Sequence, residues 1–346
     1  PQPLATALID DDLVLLASGR GVLERVLDVS QLQQQHQLGD EQLGREMAEL
    51  DHGMALLTAS PEALRRWFDL PTALSGLEGM VAALQAENAD LLMEGRLRWQ
   101  ETIEAEPWPV QRDLVSGSGG RASLMAQLQN PHRLLDPDEG HPLAQWLGPV
   151  LKQRLAQQPA ALAVLELDEG PLLWQQQDEG WLLASGHDEP DLSAVDDQLK
   201  AQGLAQSHLS GDGESIQVWT RLTRQRGRSA GVEASLALAR STDNDRDWWA
   251  ETLPALTQRQ DVRALEPRLH QWRNLSRLQS APVQSLMLAS TPARAVLAQW
   301  QPWSLLQAMA GQTLQSRIQG LSLSLEADRQ DEGSSVLPLH ARLELG

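Results

Sequence analysis

The chain contains no cysteine and no tyrosine, and a single phenylalanine. Without cysteine there is no disulfide, no thiolate nucleophile and no cysteine-ligated zinc or iron–sulfur centre. Lysine is scarce too, with Lys152 and Lys200 alone. Against 28 basic residues stand 47 acidic ones, for a formal charge of −19. A phosphate-backbone binder needs a basic footprint, so nucleic acid is excluded as a partner. No apolar run approaches the roughly 18 residues of a membrane-spanning helix. The longest, such as Leu13–Ala17, are strand-sized.

What is present suits a packed protein. The 346 residues are 41% hydrophobic and 22% charged, which supports a core and about two domains. Twelve tryptophans replace the other aromatics. Trp248–Trp249 and the Trp300/Trp303 pair have the chemistry to stack a sugar or enter a membrane interface. With so few other bulky aromatics, core filling is the simpler reading.

One phrase recurs: an apolar run, then Ala-Ser, then a helix start. It stands at Leu15–Ser18, Leu57–Ser60, Leu182–Ser185 and Leu288–Ser290, with a looser copy at Ala237–Ala239. In the second copy Ser60 is a good cap and Pro61 suits the first helical position. Leu64, Trp67 and Phe68 then share one face. In the last copy Thr291 caps, Pro292 starts, and Ala293, Val296, Leu297 and Trp300 form the stripe. The third copy uses Asp188 or Glu189 before Pro190, with Leu192, Val195 and Leu199. The first copy carries its stripe at Val22, Leu23, Val26 and Leu27. Each serine reads as a fold element that marks the turn from strand to helix.

Hairpins form a second repeated part. Met80–Gln85 and Leu91–Trp99 alternate around Glu87–Asp90, and Leu321–Leu325 and Leu337–Leu345 alternate around Asp328–Ser335. Period-two patterning around a polar turn predicts antiparallel pairing. The order of parts implies an internal duplication: an α+β protein of two related halves, each an antiparallel sheet with helices on one face. The first half is residues 1–115, the segment Ser116–Gly120 is a flexible linker, and 121–346 is the longer second half. Within it, 122–128, 143–155, 248–256 and 262–278 are expected as helices. Strands are expected at 162–167, 172–175, 181–184, 216–222 and 232–238.

Candidate chemistry is sparse. Ser116–Gly120 lacks the Lys-Ser/Thr of a phosphate loop and the spacing of a dinucleotide fingerprint or nucleophile elbow. Asp243-Asn244-Asp245-Arg246-Asp247 opens like a calcium loop. However, Trp248 stands where the turn needs glycine and Pro254 where a bidentate glutamate belongs. Acids at a helix N-terminus explain it more simply. His132 and His141, with Asp136, Asp138 and Glu139 between them, are the nearest approach to a metal cluster, on what reads as a surface loop. Arg221, Arg224, Arg226 and Arg228 fall within eight residues. They suit an anionic headgroup or partner, or simply a solvated turn on an acidic surface. No catalytic, cofactor or metal residue is assigned.

The stretch Asp11-Asp12-Leu13-Val14-Leu15-Leu16-Ala17-Ser18 leads into the helix Val22–Leu27. Leu38-Gly39-Asp40-Glu41, the helix Leu43–Leu50 and the strand Met54–Thr58 follow. This order resembles the membrane-anchored cyanobacterial proteins of domain-of-unknown-function family 3352, chiefly over residues 8–100, with fainter echoes at 172–200 and 286–346. The resemblance implies no catalytic residues. It implies an upstream hydrophobic anchor on the full-length protein, and therefore an extracytoplasmic place, periplasm or thylakoid lumen. The expected function is a non-enzymatic scaffold or binding protein that engages a protein or lipid-like ligand through its sheets. The alternatives are a hydrolase or transferase acting between the halves, and a lipid shuttle whose Leu321–Leu345 hairpin lines an apolar trough.

Overall fold

The computed structural model describes residues 5–9, 13–17, 20, 21, 23, 24, 27, 50, 53–67, 76–99, 108, 114, 115, 117–136, 138–187, 190–211, 214–224, 232–243, 246–278, 282–300, 303, 304, 306, 307, 313–327, 329–331 and 334–346. The first Ala-Ser serine, Arg226, Arg228 and most of the segment 22–50 lie outside these.

Strands β1 (Ala5–Ile9) and β2 (Leu13–Ala17) form a separate antiparallel pair. Every other strand among the described residues joins one sheet. The first block is β3 (Ala55–Ala59), helix α1 (Pro61–Trp67) and the hairpin β4 (Leu77–Glu87) with β5 (Asp90–Trp99). The middle block opens with β6 (Ala122–Gln129), α2 (Pro131–Leu135), α3 (Pro142–Leu155) and α4 (Pro159–Leu167). It continues through β7 (Pro171–Gln177), β8 (Gly180–Gly186), α5 (Leu192–Ala201), β9 (Leu204–Gly211), β10 (Glu214–Arg224), β11 (Val232–Asp243) and β12 (Arg246–Ala250). Helices α6 (Leu253–Gln258) and α7 (Val262–Ser276) follow. The last block is β13 (Pro282–Ala289), α8 (Ser290–Gln299), β14 (Ile318–Glu326), β15 (Arg329–Asp331) and β16 (Ser334–Leu345).

Spatial order is β3-β4-β5-β16-β14-β13-β6-β7-β8-β12-β11-β10-β9, with β15 on β16, a 14-stranded sheet in which all pairs are antiparallel. The halves expected to carry separate sheets share this one: β5 of the first pairs with β16 of the last along Leu91–Trp99.

Helices pack on both faces, not one. The reason lies in β7, β8 and β12, which are apolar at successive positions. Leu172, Leu183 and Trp249 enter one core with α4 residues Ala161, Val164 and Leu165. Leu173, Leu182 and Trp248 enter another with α7 residues Leu265 and Leu269. A strand apolar on both sides must be covered on both sides. At Gly320 the tips of the Gln271 and Glu344 side chains occupy the space an added Cβ would take, so α7 approaches β14 closely there.

Three elements differ from the pattern-based expectation. Residues 122–128 form a strand, β6, enclosed between β13 and β7. Residues 162–167 belong to helix α4. Trp248–Trp249 lie in strand β12, with a short helix only from Leu253. Short apolar runs lack a decisive period, and neighbours choose. Two caps also move. Asp191, not Asp188 or Glu189, caps α5 by accepting the Ser193 N–H at 2.9 Å. Helix α8 starts at Ser290, before Thr291 and Pro292. Ser60 does cap α1, accepting the Ala63 N–H at 3.2 Å.

The segment expected as a linker is packed where it is described. Ser118 is buried, the Gly120 N–H donates to the Asp261 carbonyl at 2.9 Å, and a Cβ on Gly119 would meet the Arg259 carbonyl oxygen at 2.4 Å.

Candidate functional site: a carboxylate-lined cleft beside α2

Strand β6 ends against β13, where the Gln284 carboxamide both donates to and accepts from the Gln129 backbone, each bond 3.0 Å. The next residue, Asn130, adopts the left-handed conformation with φ 49°. Asparagine tolerates this region better than most residues. Its side chain accepts the Arg133 N–H at 2.9 Å, which starts α2 with Pro131 in the first turn. The turn before β7 holds the other wall. Asp168, fully enclosed, accepts the Gly170 N–H at 2.9 Å, and its carbonyl accepts the His132 N–H at 2.9 Å.

Between these turns lies an open cleft of about 320 Å³, lined by Asn130, His132, Arg133, Asp136, Glu139 and Glu169. The Arg133 guanidinium donates to both Glu139 oxygens, at 2.7 and 3.4 Å, and lies 4.5 Å from the Trp108 ring centre. Behind it the Trp108 indole N–H donates to His141 Nδ1 at 3.0 Å. The same nitrogen accepts the Leu143 N–H and so caps α3. The Arg133 hydrogen bond, aided by the His141 backbone N–H, holds the Glu139 carboxyl below its ordinary range against the opposing effect of burial. Glu139 therefore stays ionised. His132 Nδ1 lies at the Glu166 carbonyl.

The sequence pattern 132–141 thus splits. His132, Asp136 and Glu139 reach the cleft, while His141 is buried as a structural acceptor. Among the described residues no group of three or more His, Asp or Glu side chains is arranged to hold a metal ion. Asn130, Arg133 and Glu169 are further lining residues that pattern reading missed. Asn130 precedes a proline at a helix start, a readable capping signal. Glu169 carries none, because it arrives from a turn more than thirty residues away in the sequence.

The other candidates fall elsewhere. Arg221 is exposed on β10 and Arg224 ends that strand, so the expected loop is strand through Arg224. Both are strands away from the cleft in the sheet order. Of the acidic run 243–247, Asp243 ends β11 opposite Arg246 and Asp247 lies in β12, so neither is at a helix start, and Asn244 and Asp245 lie outside the described residues. Asp247 is buried against Arg240 at 2.7 Å. Trp248, Trp249 and Trp303 are core residues. In the Leu321–Leu345 hairpin, expected to line a trough, Leu321 and Leu343 pack in one core with Ala293 and Leu297 of α8 and with Trp303.

Residues 1–340 match the family model described as "Protein of unknown function (DUF3352)". The chain belongs to this family. No curated protein and no solved structure matches it. Since the family's description states no activity, the cleft has to be read from its own chemistry. It is a small concave site with three carboxylates against one arginine that is already paired. Such a lining suits an ammonium or guanidinium group.

Proposed function

We propose that the chain is a non-enzymatic binding or scaffold protein, the extracytoplasmic part of a membrane-tethered one. In this reading it receives a cationic side chain of a protein partner in the cleft beside α2. The observation that carries it is the meeting of Asp136, Glu139 and Glu169 in one cleft whose lining arginine, Arg133, is already bonded to Glu139. A general acid needs a carboxyl raised toward neutrality, and Glu139 is moved the other way. The hydrolase or transferase alternative therefore draws no support from it. The −19 charge adds long-range attraction for a basic partner.

The blocks β3-α1-β4-β5 and β13-α8-β14-β16 share one order of parts, the second with the short strand β15 added before β16. This supports the inferred duplication, and the proposed division near residues 116–120 falls between the two blocks.

The test is calorimetric titration with an arginine- and lysine-rich peptide at low salt, for the natural chain and for Asp136→Asn/Glu169→Gln. Saturable binding that the double variant weakens at least tenfold is the expected result. Equal affinity in both proteins, or turnover of ester or phosphoester substrates that the double variant loses, overturns the reading.

A further inference from the structure

The last strand of the sheet path, β9, is paired only by β10 among the described residues. Half of its backbone N–H and C=O groups therefore face away from the sheet. Natural edges are blunted by short length, charge, proline or a bulge. The opposite end of the path, β3, is five residues long. Strand β9 has eight, Leu-Ala-Gln-Ser-His-Leu-Ser-Gly, with no proline and no acidic, lysine or arginine residue. Its register with β10 runs from Glu214↔Gly211 to Arg221↔Leu204 without a shift. Residues 205–210 are all exposed, including Leu209 at 43%.

We propose that β9 pairs with the β9 of a second copy of this chain, antiparallel about a two-fold axis perpendicular to the sheet. This goes beyond the cleft and does not depend on it. In a chain with 47 acidic residues, this edge lets two copies meet without like charges facing across the joint. A two-fold axis perpendicular to the sheet makes the join antiparallel and sets the Leu204 end of one copy against the Gly211 end of the other. An axis perpendicular to the sheet keeps each face on its own side, which requires one residue to face its own copy. At the middle of the strand that residue is Ser207 or His208. Directly opposed residues lie about 4.5 or 5.5 Å apart at Cα, within the roughly 4.4–6.8 Å that a disulfide spans.

The absence of native cysteine makes a clean test possible. Light scattering on the full chain across a concentration series should show the mass doubling. Single cysteines at positions 205–210 should cross-link under mild oxidation most at Ser207→Cys or His208→Cys, and fall off to either side. Ser207→Lys, with unchanged circular dichroism, should return the protein to monomer. A monomer at every concentration overturns the proposal, whether its β9 stays bare or takes a foreign strand. A dimer that persists in Ser207→Lys and cross-links at none of these positions also overturns it. If Ser207→Lys fails to fold, the cysteine series decides alone.

Discussion

Arg240 Nη2 donates to Asp247 Oδ1 at 2.7 Å while Asp247 is fully enclosed, so the β11–β12 hairpin is closed by a buried ion pair. The Thr242 hydroxyl donates to the same oxygen at 2.7 Å, and the guanidinium lies 5.3 Å from the Trp249 ring centre. Removing Arg240 leaves the enclosed Asp247 carboxylate to the neutral Thr242 hydroxyl and to His187, 3.8 Å away. Arg240→Met should therefore lower stability by about 3–5 kcal/mol, and Arg240→Met/Asp247→Leu should recover much of that loss. Urea unfolding of the two variants reads this directly. A double variant no more stable than the single one would show that packing, not charge, holds the hairpin.

The Glu139 carboxyl titrates below its ordinary 4.5 chiefly because Arg133 hydrogen-bonds its charged form. In the unfolded chain it takes up its proton near the ordinary value, and in the folded chain only at lower pH. Its stabilising contribution is thus complete above the ordinary value and is lost as pH falls through the folded one. The stability gap between the natural chain and Glu139→Gln should stay constant above about pH 5 and shrink on acidification. Urea midpoints measured from neutral pH downward check it. A gap that widens in acid would reverse the sign of the argument.

At Gly148, inside α3, two effects oppose each other. Alanine is about 1 kcal/mol the better helix former. An added Cβ, however, would sit 2.4 Å from the Leu134 carbonyl oxygen of α2. Backbone cannot yield as a side-chain tip can, so the clash wins. Gly148→Ala should cost about 1–3 kcal/mol net, seen as a lower melting temperature. It should also weaken peptide binding in the cleft, since Leu134 follows Arg133 on the same short helix.

Two serines of the recurring phrase should differ in their cost. Ser60 caps a short helix, and Ser60→Ala should lose about 0.5–2 kcal/mol. Ser185 is buried and accepts the Trp249 indole N–H at 3.3 Å. Ser185→Ala leaves that donor without an acceptor inside the core and should lose about 1–3 kcal/mol. Thermal unfolding of both variants compares them. An unchanged Ser185→Ala protein would mean the indole finds another acceptor.

Local chemistry was enough to establish the sign of the surface, the lack of thiol chemistry, the alternating hairpins 80–99 and 321–345 and the Ser60 cap. Each depends on residues close in the chain, where a period or a single side chain decides. Local pattern reads the runs 122–128 and 162–167 the wrong way round, because a short apolar stretch satisfies a buried strand and a buried helix equally. Only their neighbours, β13 and β7 around the first and α5 beside the second, resolve it. The cleft follows the same rule. His132, Asp136 and Glu139 were visible as a cluster, but their meeting with Glu169 and the withdrawal of His141 behind Trp108 depend on contacts between distant segments. Which strand ends the sheet is likewise written in no local pattern. The pairing of thirteen strands along one path leaves β9 at its end, and only that sum exposes its edge.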